Sequence, residues 1–330
     1  MCNISFERDH KQFHCFLGSQ NMCGEQSISL LNVSIATSVI TIILSITSTF
    51  ANSVVILAVW KTSSLHTPSN LLLCCLAFAD LCNAVVTQPS FVAFNVARIQ
   101  GNVKVYCNAS AVSMILGTYL CGVSFLTLTG VSFDRFLALH LHLRYRELVR
   151  TRAIVTGVVV GWVSVFFCYT VPPILRWYTV WQSLEACVIF ISLILNALLY
   201  FSIFRSVHRH ELKLKRELRL SAMIHGQLRK FKRRSWTVLY ICLLYTFCYG
   251  PYVGSLVWSA ITNGHMERTN VRIYGNIVWT AIFLCGTLNP ILFCYRVKEI
   301  KKAIHEFIWK KNKTKNKTKK KQKKHIFISI

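Results

Sequence analysis

Asp80 stands inside an apolar run, Leu-Leu-Leu-Cys-Cys-Leu-Ala-Phe-Ala-Asp-Leu over residues 71–81. An ionisable group at that depth is costly in lipid and is a functional hypothesis by default. Two readings stay open for it: a buried, protonated carboxyl held by a neighbouring hydroxyl, or a cation or proton site. Asn52, Ser124 and Asn289 fall at comparable depth in other apolar runs and together could satisfy it. Asp134-Arg135-Phe136 ends a third run, where an Asp-Arg pair taken alone reads as a snorkelling interfacial pair. Asn289-Pro290 and Cys248-Tyr249-Gly250-Pro251 place prolines inside runs, which frees backbone carbonyls, bends the helix and calls for polar partners nearby. Catalysis would need His, Glu or Asp gathered at depth. The two His-x-His pairs, His140 with His142 and His208 with His210, sit at the ends of runs instead, so neither an enzyme nor a structural metal centre is expected.

The elements that carry these residues are membrane spans. The chain has 330 residues, 53% hydrophobic and only 15% charged, against about 25% charged for soluble domains. Its charge is lopsided, with 38 Lys+Arg against 12 Asp+Glu and a formal net charge of +26. Those bases lie between and after the apolar runs rather than on a polar folded surface, which excludes a nucleic-acid-binding domain. Seven stretches reach the ~20 residues a helix needs to cross a bilayer: 31–60, 69–94, 106–139, 153–173, 181–204, 235–262 and 271–295. The first 30 residues hold no continuous apolar core, so the first span is expected to act as its own insertion signal.

Orientation follows from the basic residues. With the N-terminus outside, 31 of the 38 Lys and Arg fall on the cytoplasmic side, eleven in 205–234 and fourteen from Arg296 onward. That split predicts a multi-pass plasma-membrane protein with the N-terminus out and the C-terminus in. Asn3, in Asn-Ile-Ser, is then a glycan acceptor in the outer tail, while Asn312 and Asn316 are on the wrong side. Residues 310–324 carry ten lysines and no acid, which suits adhesion to anionic inner-leaflet lipid. The expected organisation is an extracellular tail over 1–30, a helical bundle over 31–296, an amphipathic helix over 297–309 and a lysine-rich tail over 310–330.

One key position falls in each span: Asn52; Leu76-Ala77-Phe78-Ala79-Asp80; Asp134-Arg135-Phe136; Trp162; Tyr200; Cys248-Tyr249-Gly250-Pro251; and Asn289-Pro290-Ile291-Leu292-Phe293. In this order the set resembles the rhodopsin-like G-protein-coupled receptors, over about residues 31–309. The resemblance implies an all-α bundle of seven transmembrane helices followed by a short amphipathic helix. It also implies a heterotrimeric G protein inside, and outside a ligand that is a small molecule, a lipid or a peptide. Asp80, Asn52, Ser124 and Asn289 would form a sodium pocket, the ion serving as an allosteric modulator and no other cofactor being expected. Arg135 would be the switch that meets the G protein, restrained by Asp134, with Leu143 as the apolar contact and Tyr200 its neighbour in the fifth span. Tyr249, Pro251, Pro290 and Phe293 would carry the activation motifs, and Cys107 would bridge to Cys187.

Departures from the family narrow the ligand. Tyr249 replaces a usual tryptophan, Phe293 replaces a tyrosine, and the fifth span has no proline. That last feature, with the short link 174–186 and residues 121–139, resembles the branch holding melanocortin, adenosine, cannabinoid and lysophospholipid receptors. Their ligand residues do not carry over. Gly117 stands where amine receptors have an acid, Leu256 where adenosine receptors have an asparagine, and Ser90, Ser110 and Met114 where melanocortin receptors hold calcium. What remains is an aromatic, weakly polar cavity at Gln88, Thr118, Tyr119, Tyr252 and Trp279. A transporter or channel is the alternative function, but it should show an internal repeat with interrupted helices, and none is visible. A retinal protein needs a lysine in 271–295, which has none.

Overall fold

The protein was studied as a computed structural model that describes residues 13–15, 18–20, 27–141, 144–175, 177–216, 243–255, 257–258, 268–296 and 302. In the first two segments, at Arg135, Leu139, Arg146, Leu148, Tyr178, Thr179, Gln182, Val207 and Arg268, and over 210–216 and 292–296, the description is of the backbone alone. Asn3, Leu143, the helix expected over 297–309 and the lysine-rich tail lie outside the described residues.

The first strands, β1 (Phe13–Cys15) and β2 (Gly18–Gln20), pair as an antiparallel hairpin within what the sequence suggested was a plain tail. Helix α1 (Ile28–Lys61) starts at Ser27, whose hydroxyl accepts from the Leu30 amide at 3.2 Å. Thr67 caps α2 (Pro68–Cys82) in the same way, with Pro68 in the first turn where its missing N–H costs nothing. A wide π-turn, Asn83–Thr87, separates α2 from α3 (Gln88–Gln100), so the second span is two helices rather than one. The cause is Pro89, which can neither donate to the preceding turn nor tolerate its carbonyl closely. Ser45 of α1 donates to the Ala84 carbonyl in that turn at 2.7 Å. Gly101, at φ +73°, ends α3 in the left-handed conformation and turns the chain into α4 (Val103–Leu141).

After one helical turn, α5 (Tyr145–Leu148), the chain continues as α6 (Thr151–Ile174) and α7 (Tyr178–Arg216). Residues 243–255 are helical and form α8, and α9 (Arg268–Arg296) completes the bundle. Six spans among the described residues are long and apolar enough to cross a membrane; α8 is the described part of the sixth expected span. α7 runs twelve residues past the expected end of its span, to Arg216.

The bundle is polar inside and apolar outside, as lipid requires. Ser34, Thr37, Ser38, Thr41, Ser48 and Asn52 form a buried stripe along α1, while Ile40, Ile43, Ile46 and Phe50 of the same helix are exposed. Several of these hydroxyls donate to carbonyls one turn back, Ser34 to Leu30 and Ser38 to Ser34, each at 2.6 Å. The main core joins Val55, Leu76, Phe125, Ile189, Tyr245 and Ile282 across six helices. A Cβ on Gly161 would lie 2.3 Å from Leu126 Cδ2, so this glycine of the Gly157-(x)3-Gly161 pattern serves close packing of α6 on α4.

The disulfide expected between Cys107 and Cys187 is not formed. Cys187 is a free, exposed thiol, whereas Cys107 is disulfide-bonded elsewhere. The reason is placement: Cys187 sits inside α7, on a face turned away from the bundle, not in a loop that could reach the top of α4. The N-terminal hairpin packs against α4 instead, through β1.

Candidate functional site

Asp80 is buried on α2, and two helices supply its partners. Asn289 Nδ2 of α9 donates to Asp80 Oδ2 at 2.8 Å, and Ser124 of α4 lies against the same carboxyl group. A Cβ on Gly286 would come within 3.0 Å of Asp80 Oδ1, so only glycine lets α9 pass this close. Asn52 of α1 joins at one remove: its Nδ2 donates to the Ser48 carbonyl at 3.0 Å and to the Gly286 carbonyl at 3.5 Å. All four expected residues therefore gather between α1, α2, α4 and α9.

The donor set suits a hard monovalent cation. Besides one carboxylate and one hydroxyl, Asn52 Oδ1 and Asn289 Oδ1 are buried acceptors with no hydrogen bond. Oxygen donors with little net charge fit an alkali ion better than a transition metal.

Tyr245 is a member of this cluster that sequence reasoning missed. Asn289 Nδ2 also donates to its hydroxyl, at 3.1 Å. The overlooked signal was spacing: Tyr245, Tyr249 and Tyr252 recur every three or four residues and so share one face of α8. Tyr245 and Tyr249 stack 5.5 Å apart, and both present edges to Phe125 of α4, at 5.2 and 4.5 Å. Tyr249 also hydrogen-bonds Cys121. Pro251 leaves its carbonyl to accept from Tyr274 Oη of α9 at 2.7 Å, and Pro290 lies within α9 beside Asn289.

Nearer the end of the bundle away from Asp134, Tyr252 lies against Glu185 of α7, which is 4% exposed, and 6.4 Å from the ring of Trp279. Trp279 explains Gly117: a Cβ there would meet the indole and Thr87 Cγ2, each at 3.1 Å. The other expected pocket residues do not converge. Thr118 donates to its own helix at Met114, and Tyr119 packs edge-on against Phe166 of α6, on the far side of α4. Gln88 is buried at the π-turn with Oε1 lacking a hydrogen bond. Ser90 and Ser110 likewise donate to their own helices, to Val86 and Cys107, so they do not converge on an ion as calcium ligands would.

At the opposite end Asp134 is buried and accepts from Ser69 of α2 and from Tyr145 of α5. Neither donor was anticipated, because both come from outside its own span. The side chains of Arg135 and Phe293 lie outside the described residues. Tyr200 packs 6.4 Å from Phe204 and helps line a cavity of about 280 Å³ between α4, α7 and α8.

The described residues form a helical bundle with a buried acid at its centre, an aromatic column on one helix and a second buried acid held at one end. The family model of the seven-transmembrane receptors of the rhodopsin family matches residues 51–189. Human melanocortin receptor 3 is 22% identical over 278 residues, covering 80% of this chain and 83% of that protein. The chain is thus similar to the rhodopsin-like receptors over its central part and to a melanocortin receptor over most of its length, and six of its described helices are long and apolar enough to cross a membrane. Nothing in these comparisons supports a transporter.

Proposed function

We propose that this chain is a rhodopsin-like G-protein-coupled receptor, standing in the plasma membrane with its N-terminus outside and taking its ligand beside Glu185, Tyr252 and Trp279. The observation that carries this is the aromatic column on α8. Tyr252 meets α7 and α9, Tyr249 meets α4, and Tyr245 meets Asn289, which holds Asp80. A ligand that displaces Tyr252 therefore acts on the same helix face that contacts the central acid.

Signalling is a shift in population between two helix arrangements, and a ligand shifts it only by its differential affinity for them. Sodium held by Asp80, Ser124, Asn52 and Asn289 would neutralise the acid and favour the closed arrangement. Release of Arg135 at the inner end would expose the G-protein surface, with Leu143 as its apolar contact. The lysines of 310–324 would hold the tail to anionic lipid.

Melanocortins are one candidate ligand class, given the relative's name. The calcium-holding acids of that group are absent here, and Glu185 is the one described acid at the mouth. The experiment is to express the receptor with a promiscuous G protein and screen amines, nucleosides, lipids and peptides. An agonist whose potency falls in Tyr252→Phe and Trp279→Ala supports the reading. An agonist indifferent to both places the pocket elsewhere.

A further inference from the structure

At the outer end of the bundle, between α1, α3 and α9, a guanidinium is buried with no acid against it among the described residues. Arg98 is 8% exposed. Its Nη2 donates to Ser34 Oγ of α1 and to Asn95 Oδ1 at 3.2 Å. None of the described acids, Asp80, Asp134, Glu147 and Glu185, pairs with it. Asn276 of α9 donates to the same Ser34 hydroxyl at 3.2 Å. A second base, Arg272 of α9, is near enough to repel Arg98.

Two features soften the charge. Arg98 sits in the last turn of α3, where the helix dipole favours a cation, and its guanidinium lies 5.7 Å from the centre of the Phe94 ring. Both are small beside the cost of desolvating a guanidinium, and the approach of Arg272 raises that cost. A further donor points to what is wanted. Asn95 is fully buried, its Oδ1 accepts from Arg98, and the Nδ2 on the same amide has no hydrogen bond. A buried N–H donor without an acceptor, beside a buried positive charge, matches the oxygens of an oxyanion.

We propose that Arg98, with the Asn95 amide, anchors a carboxylate or phosphate group of the extracellular ligand. The anchor is separate from the pocket around Tyr252, to which it is joined by touching rings. Tyr252, Trp279, Phe283, Phe91 and Phe94 each lie within 6.4 Å of the next, and Phe94 underlies Arg98. A ligand with an anionic end and an apolar or aromatic body would span that row. This deepens the functional reading above and rests on it for the identity of the bound molecule.

The test uses the full-length receptor purified in neutral detergent, with thermal unfolding followed at constant ionic strength. The probes are inorganic phosphate and dodecyl phosphate, with chloride as reference. Wild type should show a saturable rise in Tm with at least one phosphate probe. A response to dodecyl phosphate alone assigns the anion to an amphiphile, and a response to both means that a free anion suffices; either supports the site. Arg98→Gln should weaken binding by about tenfold or more. Should that variant fold poorly, Asn95→Asp supplies the carboxylate internally, and it should raise the basal Tm and remove the response to either probe. No rise in wild type, or an undiminished response in Asn95→Asp, overturns the proposal. Because the readout is binding without a G protein, its failure is distinct from failure of the agonist screen.

Discussion

Asn289 on α9 donates one hydrogen to Asp80 on α2 and the other to Tyr245 on α8, at 2.8 and 3.1 Å. One amide thus ties the central acid to α8. Tyr245→Phe keeps the stacked ring but removes the acceptor, a loss of about 1 kcal/mol. The expected result is a change of about fivefold in ligand-independent signalling at unchanged surface expression. A G-protein activation assay with a surface-labelled receptor measures it, and an unaltered basal signal would show that this bond does not couple the helices.

Asp80→Asn should abolish any effect of sodium on agonist affinity, because it removes the one formal charge among the gathered oxygens. Agonist competition curves in sodium against a bulky organic cation decide this. Equal sodium sensitivity in variant and wild type would exclude the site.

Gly117→Ala tests why this position carries no side chain. The added methyl would press on the Trp279 indole at 3.1 Å, and overpacking of this kind costs about 1–3 kcal/mol. Thermal stability of the receptor should fall, and combining the change with Trp279→Phe should recover part of the loss. A double variant no better than the sum of the singles would mean that Trp279 is not what Gly117 accommodates.

The two outer cysteines should behave differently. Cys107→Ser should lower surface expression, since it breaks a disulfide, while Cys187→Ser should leave it unchanged because that thiol is free. Peptide mapping under non-reducing conditions gives the independent check: a Cys107–Cys187 cross-link would contradict the fold described for α7.

Restraint at the inner end is the remaining test. Ser69→Ala and Tyr145→Phe each remove a donor to buried Asp134, and a charged acceptor left short is worth roughly 1.5 kcal/mol or more. If the restrained acid holds Arg135, basal signalling should rise in both variants and Arg135→Ala should abolish it. The cytoplasmic start of the sixth span, residues 229–234, has five bases and no acid, so Phe231→Glu should lower the basal signal. Silence in every variant would place the restraint elsewhere.

Much of this protein was legible before any coordinates. Runs of ~20 apolar residues dictate helices in lipid, because each backbone N–H and C=O must be satisfied within its own segment. The positions of Asp80, Asn289 and Asp134 were equally legible, since a polar residue in such a run stands out against its neighbours. Partners drawn from other helices were not. Ser69, Tyr145 and Tyr245 are ordinary residue types in ordinary places, and they matter only because the bundle brings them to an acid. The break at Asn83–Thr87 was foreshadowed by Pro89, but its width was not.

The disulfide shows the same division from the other side. Two cysteines at familiar stations suggested a bond, yet bonding depends on where a helix begins and which face it turns inward, and α7 begins early enough to carry Cys187 away. Arg98 is the sharpest case. In sequence it is a base at the end of an apolar run, which alone reads as a snorkelling side chain. Packing α1 and α9 over the end of α3 buries it beside Asn95. Sequence determines which groups resist leaving water; tertiary structure decides which must do so, and what is there to meet them.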